Sequence, residues 1–86
     1  MIKDKFLETS SDQCIVTIYN GDEILCRFKF NITNVQDYDD EIIFYGDNND
    51  FVILDLNHMA TQPDEYYNTE YLFGSDRCKI GITFPL

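Results

Sequence analysis

Alternation between apolar and polar side chains along residues 23–32 constrains the fold of this chain more than any other feature. Because successive side chains of an extended strand point to opposite faces, a two-residue repeat gives the strand one apolar face and one polar face. Residues 14–19 and 78–84 also have strand character, and the apolar runs 41–45 and 51–56 flank a tract rich in Asp, Asn and Gly that is typical of a turn. The sequence therefore predicts antiparallel strands joined by short turns. One face of the 23–32 strand is predicted to carry Ile24, Cys26, Phe28, Phe30 and Ile32.

The turn at Asn20-Gly21 decides the register of the first hairpin. A two-residue Asn-Gly loop would place the apolar residues of the first strand on the polar face of the second. A three-residue loop, with Gly21 in the left-handed region, keeps both apolar sets on one face and pairs Cys14 with Cys26. We therefore expect the three-residue loop. The odd count of three cysteines, which includes Cys78, argues against a disulfide framework, and we expect all three to be buried and reduced.

The segment 61–74 fits either a helix or a strand. Thr61 and Gly74 are suitable helix start and stop residues, whereas the tyrosine-rich stretch between them favours a strand. We expect a short helix at about 62–73. For 41–45 and 51–56 we expect either burial on both faces or a central position in the sheet, and for 1–12 and 33–40 irregular chain with at most a helical turn in each. The predicted fold is one domain spanning residues 1–86, of α+β class and predominantly antiparallel β. It has a five- to six-stranded meander-like sheet or small barrel covered by that helix, and the alternative is all-β.

Charge restricts the partners of the chain. Sixteen acidic residues against six basic ones give a net charge of −10, and residues 31–76 hold eleven acids without a Lys or Arg. Nucleic acids and anionic membranes repel such a chain, whereas basic surfaces attract it. No apolar run approaches the roughly 20 residues that cross a bilayer, and residues 1–5 lead into no apolar signal region. We expect a cytoplasmic protein that binds neither nucleic acid nor membrane directly.

Catalytic and metal-binding patterns are scarce. His58 is the one histidine, and no nucleophile motif, phosphate-binding glycine loop or zinc pattern accompanies it. The oxygen-rich tracts 37–41 and 47–50 lack the glycine and glutamate positions of a calcium loop. We expect no enzymatic activity, no cofactor and no metal site.

Acidic and aromatic residues are interleaved in two tracts, and this interleaving is typical of a protein interface. The predicted partner-binding residues are Asp37, Tyr38, Asp39, Asp40, Glu41, Asp64, Glu65, Tyr67, Glu70 and Tyr71. They indicate a small acidic binding protein, an inhibitor or nucleic-acid mimic of the anti-restriction or anti-CRISPR type that occupies a basic surface of a nucleic-acid-handling protein. One alternative is an immunity protein that neutralises a basic toxin. Others are a small barrel that binds a metabolite or nucleotide, and a homo-oligomeric subunit, in the simplest case a homodimer.

Overall fold

The computed structural model describes residues 2–9, 12–61 and 70–84, without the side chains of residues 2, 3, 5, 60 and 61. These residues form one short helix and eight strands. The helix is α1 (Ile2–Leu7), and the strands are β1 (Gln13–Asn20), β2 (Glu23–Asn31), β3 (Asn34–Tyr38), β4 (Glu41–Tyr45), β5 (Phe51–Asp55), β6 (Met59–Thr61), β7 (Tyr71–Gly74) and β8 (Cys78–Thr83). Among these elements no helix is long and apolar enough to cross a membrane.

The strands form two antiparallel sheets. The five-stranded sheet has the order β2-β1-β8-β7-β6, and the three-stranded sheet has the order β3-β4-β5. The chain passes from the first sheet to the second at residues 32 and 33, and it returns through a short 3-10 turn at Leu56–His58. Both crossings are short, so each edge strand of one sheet continues almost directly into an edge strand of the other.

The core lies between the two sheets and is closed at one place by Phe6 of α1. Alternate residues of the strands supply it, as the period of two requires. The aromatic ring of Phe6 is fully buried and contacts the rings of Phe44, Tyr71, Phe73 and Phe84. The other buried apolar residues are Cys14, Val16, Phe30, Ile32, Ile42, Val52, Leu54 and Ile82.

The predominantly antiparallel β fold is confirmed, and the all-β alternative describes it better than the helix-covered sheet. The helix predicted at 62–73 is wrong over its last residues, because Tyr71–Gly74 is a strand paired with both β6 and β8. Residues 62–69 lie outside the described part of the chain. The tract 33–40 is not irregular either, since β3 pairs along its whole length with β4. The single five- to six-stranded sheet is therefore replaced by two sheets.

The predicted register of the first hairpin is wrong. Cys14 lies opposite Phe30, and Cys26 lies opposite Ile18, so the two cysteines are not cross-strand neighbours. Asn20 still pairs with Glu23, which leaves a two-residue loop that begins at Gly21, in the left-handed region at a φ of 60°. A bulge in β2, opposite Ile18 and Tyr19, leaves one residue of β2 without a partner in β1. The extra residue keeps the apolar side chains of the two strands on one face even though the loop has two residues. Pairing without a bulge would need a three-residue loop for the same result.

The expected burial of the three cysteines holds for one of them. Cys14 is buried in the core, whereas Cys26 and Cys78 are exposed. Cys26 is exposed because β2 is the edge strand of its sheet and extends beyond the area that the three-stranded sheet covers; of its residues only Phe30 is buried.

Candidate protein-binding surface

The three-stranded sheet has one face towards the core and one towards solvent. Ile42, Phe44, Val52 and Leu54 alternate along β4 and β5 on the buried side. Strand register places the intervening residues together on the opposite side. We call this side the outer face, and it consists of Asn34, Gln36, Tyr38, Glu41, Ile43, Tyr45, Phe51, Ile53 and Asp55.

The centre and one end of the outer face are aromatic and aliphatic. Phe51 and Ile53 are 58% and 47% exposed, and the rings of Tyr45 and Phe51 are 6.4 Å apart between centroids. Tyr38 is 54% exposed, and its hydroxyl donates to Oε1 of Gln36 at 2.5 Å. Partial desolvation and the neighbouring Tyr38 raise the pKa of Tyr45. Contiguous exposed apolar side chains of this kind mark interaction surfaces.

Carboxylates gather at the other end of the outer face, around the β3–β4 turn. Asp37, Asp39, Asp40 and Glu41 are all exposed there. The turn is built by its acids: the backbone N–H of Asp39 donates to Oδ1 of Asp37 at 2.9 Å, and Asp39 has a φ of 63°, which Asp tolerates better than most residues. The local sequence therefore both makes the turn and concentrates negative charge beside Tyr38.

Asp55 adds a further carboxylate from β5, directly opposite Glu41. Like charges in this position destabilise a sheet. Nδ1 of His58 lies 2.8 Å from Oδ2 of Asp55, and the backbone N–H of Asn57 donates to Oδ1. These two hydrogen bonds lower the pKa of Asp55. The imidazole of His58 is 68% exposed and holds the end of β5, rather than lying in a cleft beside a nucleophile.

The structure brings together only part of the predicted interface. Tyr38 and Glu41 lie on the outer face, and Asp39 and Asp40 form the exposed turn at its end. Asp37 is also exposed at this end of the sheet, but it pairs with Ile42 and so lies on the opposite side. Glu70 lies on the exposed side of the five-stranded sheet, where both of its oxygens accept from the hydroxyl of Tyr19 at 2.7 and 2.8 Å. Tyr71 is 6% exposed and packs on Phe6, so it belongs to the core. Asp64, Glu65 and Tyr67 lie outside the described residues.

The apolar part of the outer face was missed by sequence reasoning. Continuous apolar character in 41–45 and 51–56 indicated burial on both faces or a central position in the sheet. The central position holds for β4, but burial on both faces does not, since Ile53 and Phe51 are exposed and Ile43 and Tyr45 are half-buried. The polar residues of the neighbouring strand, Asn34 and Gln36, are the one sequence signal that a face of this sheet meets solvent.

The basic residues do not all converge on one cavity, because Arg27 and Lys79 both lie beside Tyr19 whereas Lys29 lies in a different groove. Arg27 lines a depression of about 290 Å³ with Glu70, and its Nε donates to Thr17 Oγ1 at 3.0 Å. Lys29 lines a separate groove of about 560 Å³ between β2 and β5, and Nζ of Lys79 lies 5.7 Å from the centroid of the Tyr19 ring. Since Lys29 lies apart, and Arg27 and Tyr19 adjoin the carboxylate of Glu70, this arrangement does not favour a phosphate-bearing ligand. Among the described residues, no three His, Cys, Asp or Glu side chains are grouped to hold a metal ion.

Comparison of the chain with protein-family models, with curated proteins and with solved structures finds no match.

Proposed function

We propose that the chain is a non-enzymatic binding protein whose outer face occupies a basic surface of a nucleic-acid-handling protein. One observation carries the proposal: exposed Phe51, Ile53 and Tyr38 share a sheet face with the carboxylates of Glu41 and Asp55, and this face ends at the acidic β3–β4 turn. An apolar centre beside a charged rim is the usual anatomy of a protein–protein interface.

Carboxylate chemistry selects a basic partner. Asp40 and Glu41 form charge-assisted hydrogen bonds with Arg or Lys, and a guanidinium stacks on an exposed aromatic ring such as that of Tyr38. A Lys or Arg side chain of the partner, placed between Glu41 and Asp55, also relieves the repulsion between these two carboxylates on adjacent strands. Each of these gains exists only when the partner is bound.

Nucleic-acid-handling proteins present the complementary pattern. They arrange Lys and Arg in rows that neutralise phosphates, and those that bind single strands add aromatic side chains on which bases stack. The acidic end of the outer face fits the first feature, and the apolar centre around Phe51 and Ile53 fits the second. The chain therefore competes with nucleic acid for its partner.

The test begins with capture of basic proteins on the immobilised chain, followed by affinity measurement with each purified candidate. The test variant is Asp40→Lys with Glu41→Lys. The matched control is Asp12→Lys with Asp76→Lys, which makes the same charge change at exposed positions next to β1 and β8 of the five-stranded sheet. We expect the test variant to lose at least about tenfold in affinity, mainly through slower association, and the control to lose much less.

Ile53→Thr tests the apolar part of the surface. Threonine keeps the strand propensity, so a loss of affinity reports on the contact rather than on the fold. The proposal further requires that DNA or RNA oligonucleotides displace the chain from its partner. Equal loss in the test and control variants would show that only net charge matters. A partner that oligonucleotides do not displace would refute nucleic-acid mimicry and favour a basic toxin as the target.

A further inference from the structure

Strand β2 is an open edge with exposed apolar side chains. It has nine residues and lies at the end of the five-stranded sheet, where β1 is the one strand of the described chain that pairs with it. Ile24, Leu25 and Phe28 are 47%, 58% and 40% exposed. A strand edge of this length displays backbone donors and acceptors that another strand can pair with.

The backbone of β2 shows which groups point to that edge. The N–H of Ile32 donates to the carbonyl of Asp12 at 2.8 Å, which continues the β1–β2 ladder by one pair. Residues of an antiparallel strand alternate between bonding to one side and to the other. Cys26, Phe28 and Phe30 therefore bond to β1, whereas the backbone groups of Arg27 and Lys29 point to the free edge.

Charge along this segment specifies what pairs with it. The chain carries a net charge of −10, so two copies repel over most of their surface. The hairpin around β2 is different, because Asp22 and Glu23 stand at one end and Arg27 and Lys29 at the other. Antiparallel alignment of two such strands about a two-fold axis sets the acidic end of each against the basic end of the other.

We propose that β2 pairs antiparallel with β2 of a second copy of this chain, joining the two five-stranded sheets. Cys26 then lies near the two-fold axis, and Leu25 and Phe28 of each copy are covered by the other. The bulge beside Leu25 shortens the regular pairing, so the interface is at the small end of stable ones. We therefore expect weak self-association, with a dissociation constant on the order of 10 µM. The outer face takes no part in the contact.

Sedimentation velocity in reducing buffer tests the dimer, and two charge variants test its geometry. One variant carries Asp22→Lys and Glu23→Lys, and the other carries Arg27→Glu and Lys29→Glu. Each variant alone opposes like charges across the axis and should remain monomeric. Their equimolar mixture sets every acid against a base and should dimerise at least as tightly as the natural chain. This recovery also shows that both variants fold. Arg77→Glu, at an exposed position outside β2, is the control and should dimerise nearly normally.

Thiol cross-linking tests the position of the axis. Oxidised glutathione should link two copies through Cys26, since opposed residues of adjacent antiparallel strands are within disulfide reach. Cys78→Ser should cross-link normally and Cys26→Ser should not. The proposal is overturned if the natural chain is monomeric at about ten times the expected dissociation constant. A monomeric mixture of the two charge variants, or linkage through Cys78, overturns it equally.

Discussion

Removal of the Phe6 ring is the sharpest test of how this small fold is held together. Phe6 comes from a six-residue helix, too short to be stable by itself, yet its side chain is fully buried. Its centroid lies 4.9 Å from that of Tyr71 and 5.8 Å from that of Phe44, both in edge-to-face geometry. The ring therefore joins the two sheets, because Tyr71 and Phe44 belong to different ones.

The cost of Phe6→Ala can be worked from these contacts. Phe→Ala substitutions in a core cost about 3–5 kcal/mol, and aromatic pairs contribute about 0.5–1.5 kcal/mol beyond area burial. With full burial and several ring neighbours, we expect a loss of about 4 kcal/mol. Domains of this size have a total stability of about 5–13 kcal/mol, and about 4 °C of Tm is lost for each kcal/mol at the least. Tm should therefore fall by about 16 °C or more.

Urea unfolding followed by far-ultraviolet circular dichroism measures this loss. The control is Leu7→Ala on the same helix, where the side chain is 37% exposed and the expected cost is about 1 kcal/mol. The slope of free energy against urea should be unchanged in both variants. If Phe6→Ala costs no more than Leu7→Ala, α1 does not close the core and the reasoning is refuted.

Two further predictions concern titrating groups. Burial raises the pKa of the Cys14 thiol to about 11. In dilute native protein at mildly alkaline pH, the two exposed thiols should therefore react with a disulfide reagent, whereas Cys14 should react only on unfolding. Rapid reaction of all three thiols would contradict the burial of Cys14. His58→Ala should raise the pKa of Asp55 towards its ordinary value in a carbon-13 NMR titration, because the hydrogen bond with His58 lowers it. Since the folded-state pKa of Asp55 lies below the unfolded value, its contribution to stability is present above the unfolded pKa and is lost as the pH falls through the folded pKa. An unchanged Asp55 pKa in the variant would show that the hydrogen bond does not form in solution.

Alternation predicted the strands well but not their place in the sheets. Residues 23–32 were expected to place five apolar side chains on one face, yet of these only Phe30 and Ile32 are buried. The period of two fixes which side chains share a face. Whether that face is covered depends on strand order, which in turn depends on pairings between residues far apart in sequence. Exposure of Cys26 and Phe28 at an edge could not be derived from their own pattern.

Glycine is a signal both for a turn and for the end of a helix, and this ambiguity misled the prediction at Gly74. Gly74 was interpreted as a helix stop, but it has a φ of 117° at the β7–β8 turn, and an added Cβ would lie 2.3 Å from the carbonyl oxygen of Cys78. A glycine with positive φ serves either purpose. The pairing of β7 with β6 and β8 decides between them, and that pairing is a tertiary interaction that overrides local propensity.

The acidic group at the β3–β4 turn was predictable because its members are adjacent in sequence, so any turn would place them together. Addition of Glu70 and Tyr71 to the same surface was not supported, because they lie at the start of β7 in the other sheet, where Glu70 contacts Tyr19 and Tyr71 is buried in the core. The apolar centre of the outer face was missed because its residues have the sequence pattern of a buried strand. Ile53 and Phe51 look like core residues until it is known that nothing in the described chain covers them.

The two proposed surfaces should respond differently to salt. The outer face meets its basic partner through exposed charges, which are screened beyond a Debye length of about 10 Å at 0.1 M salt, so this binding weakens as salt is added. Self-pairing of β2 works against the mutual repulsion of two chains of net charge −10. Salt screens that long-range repulsion as well as the pairs at the strand ends, and it leaves the backbone hydrogen bonds and the contacts of Leu25 and Phe28 in place. Moderate salt should therefore separate the two associations: it releases a basic partner from the outer face while the strand pair persists.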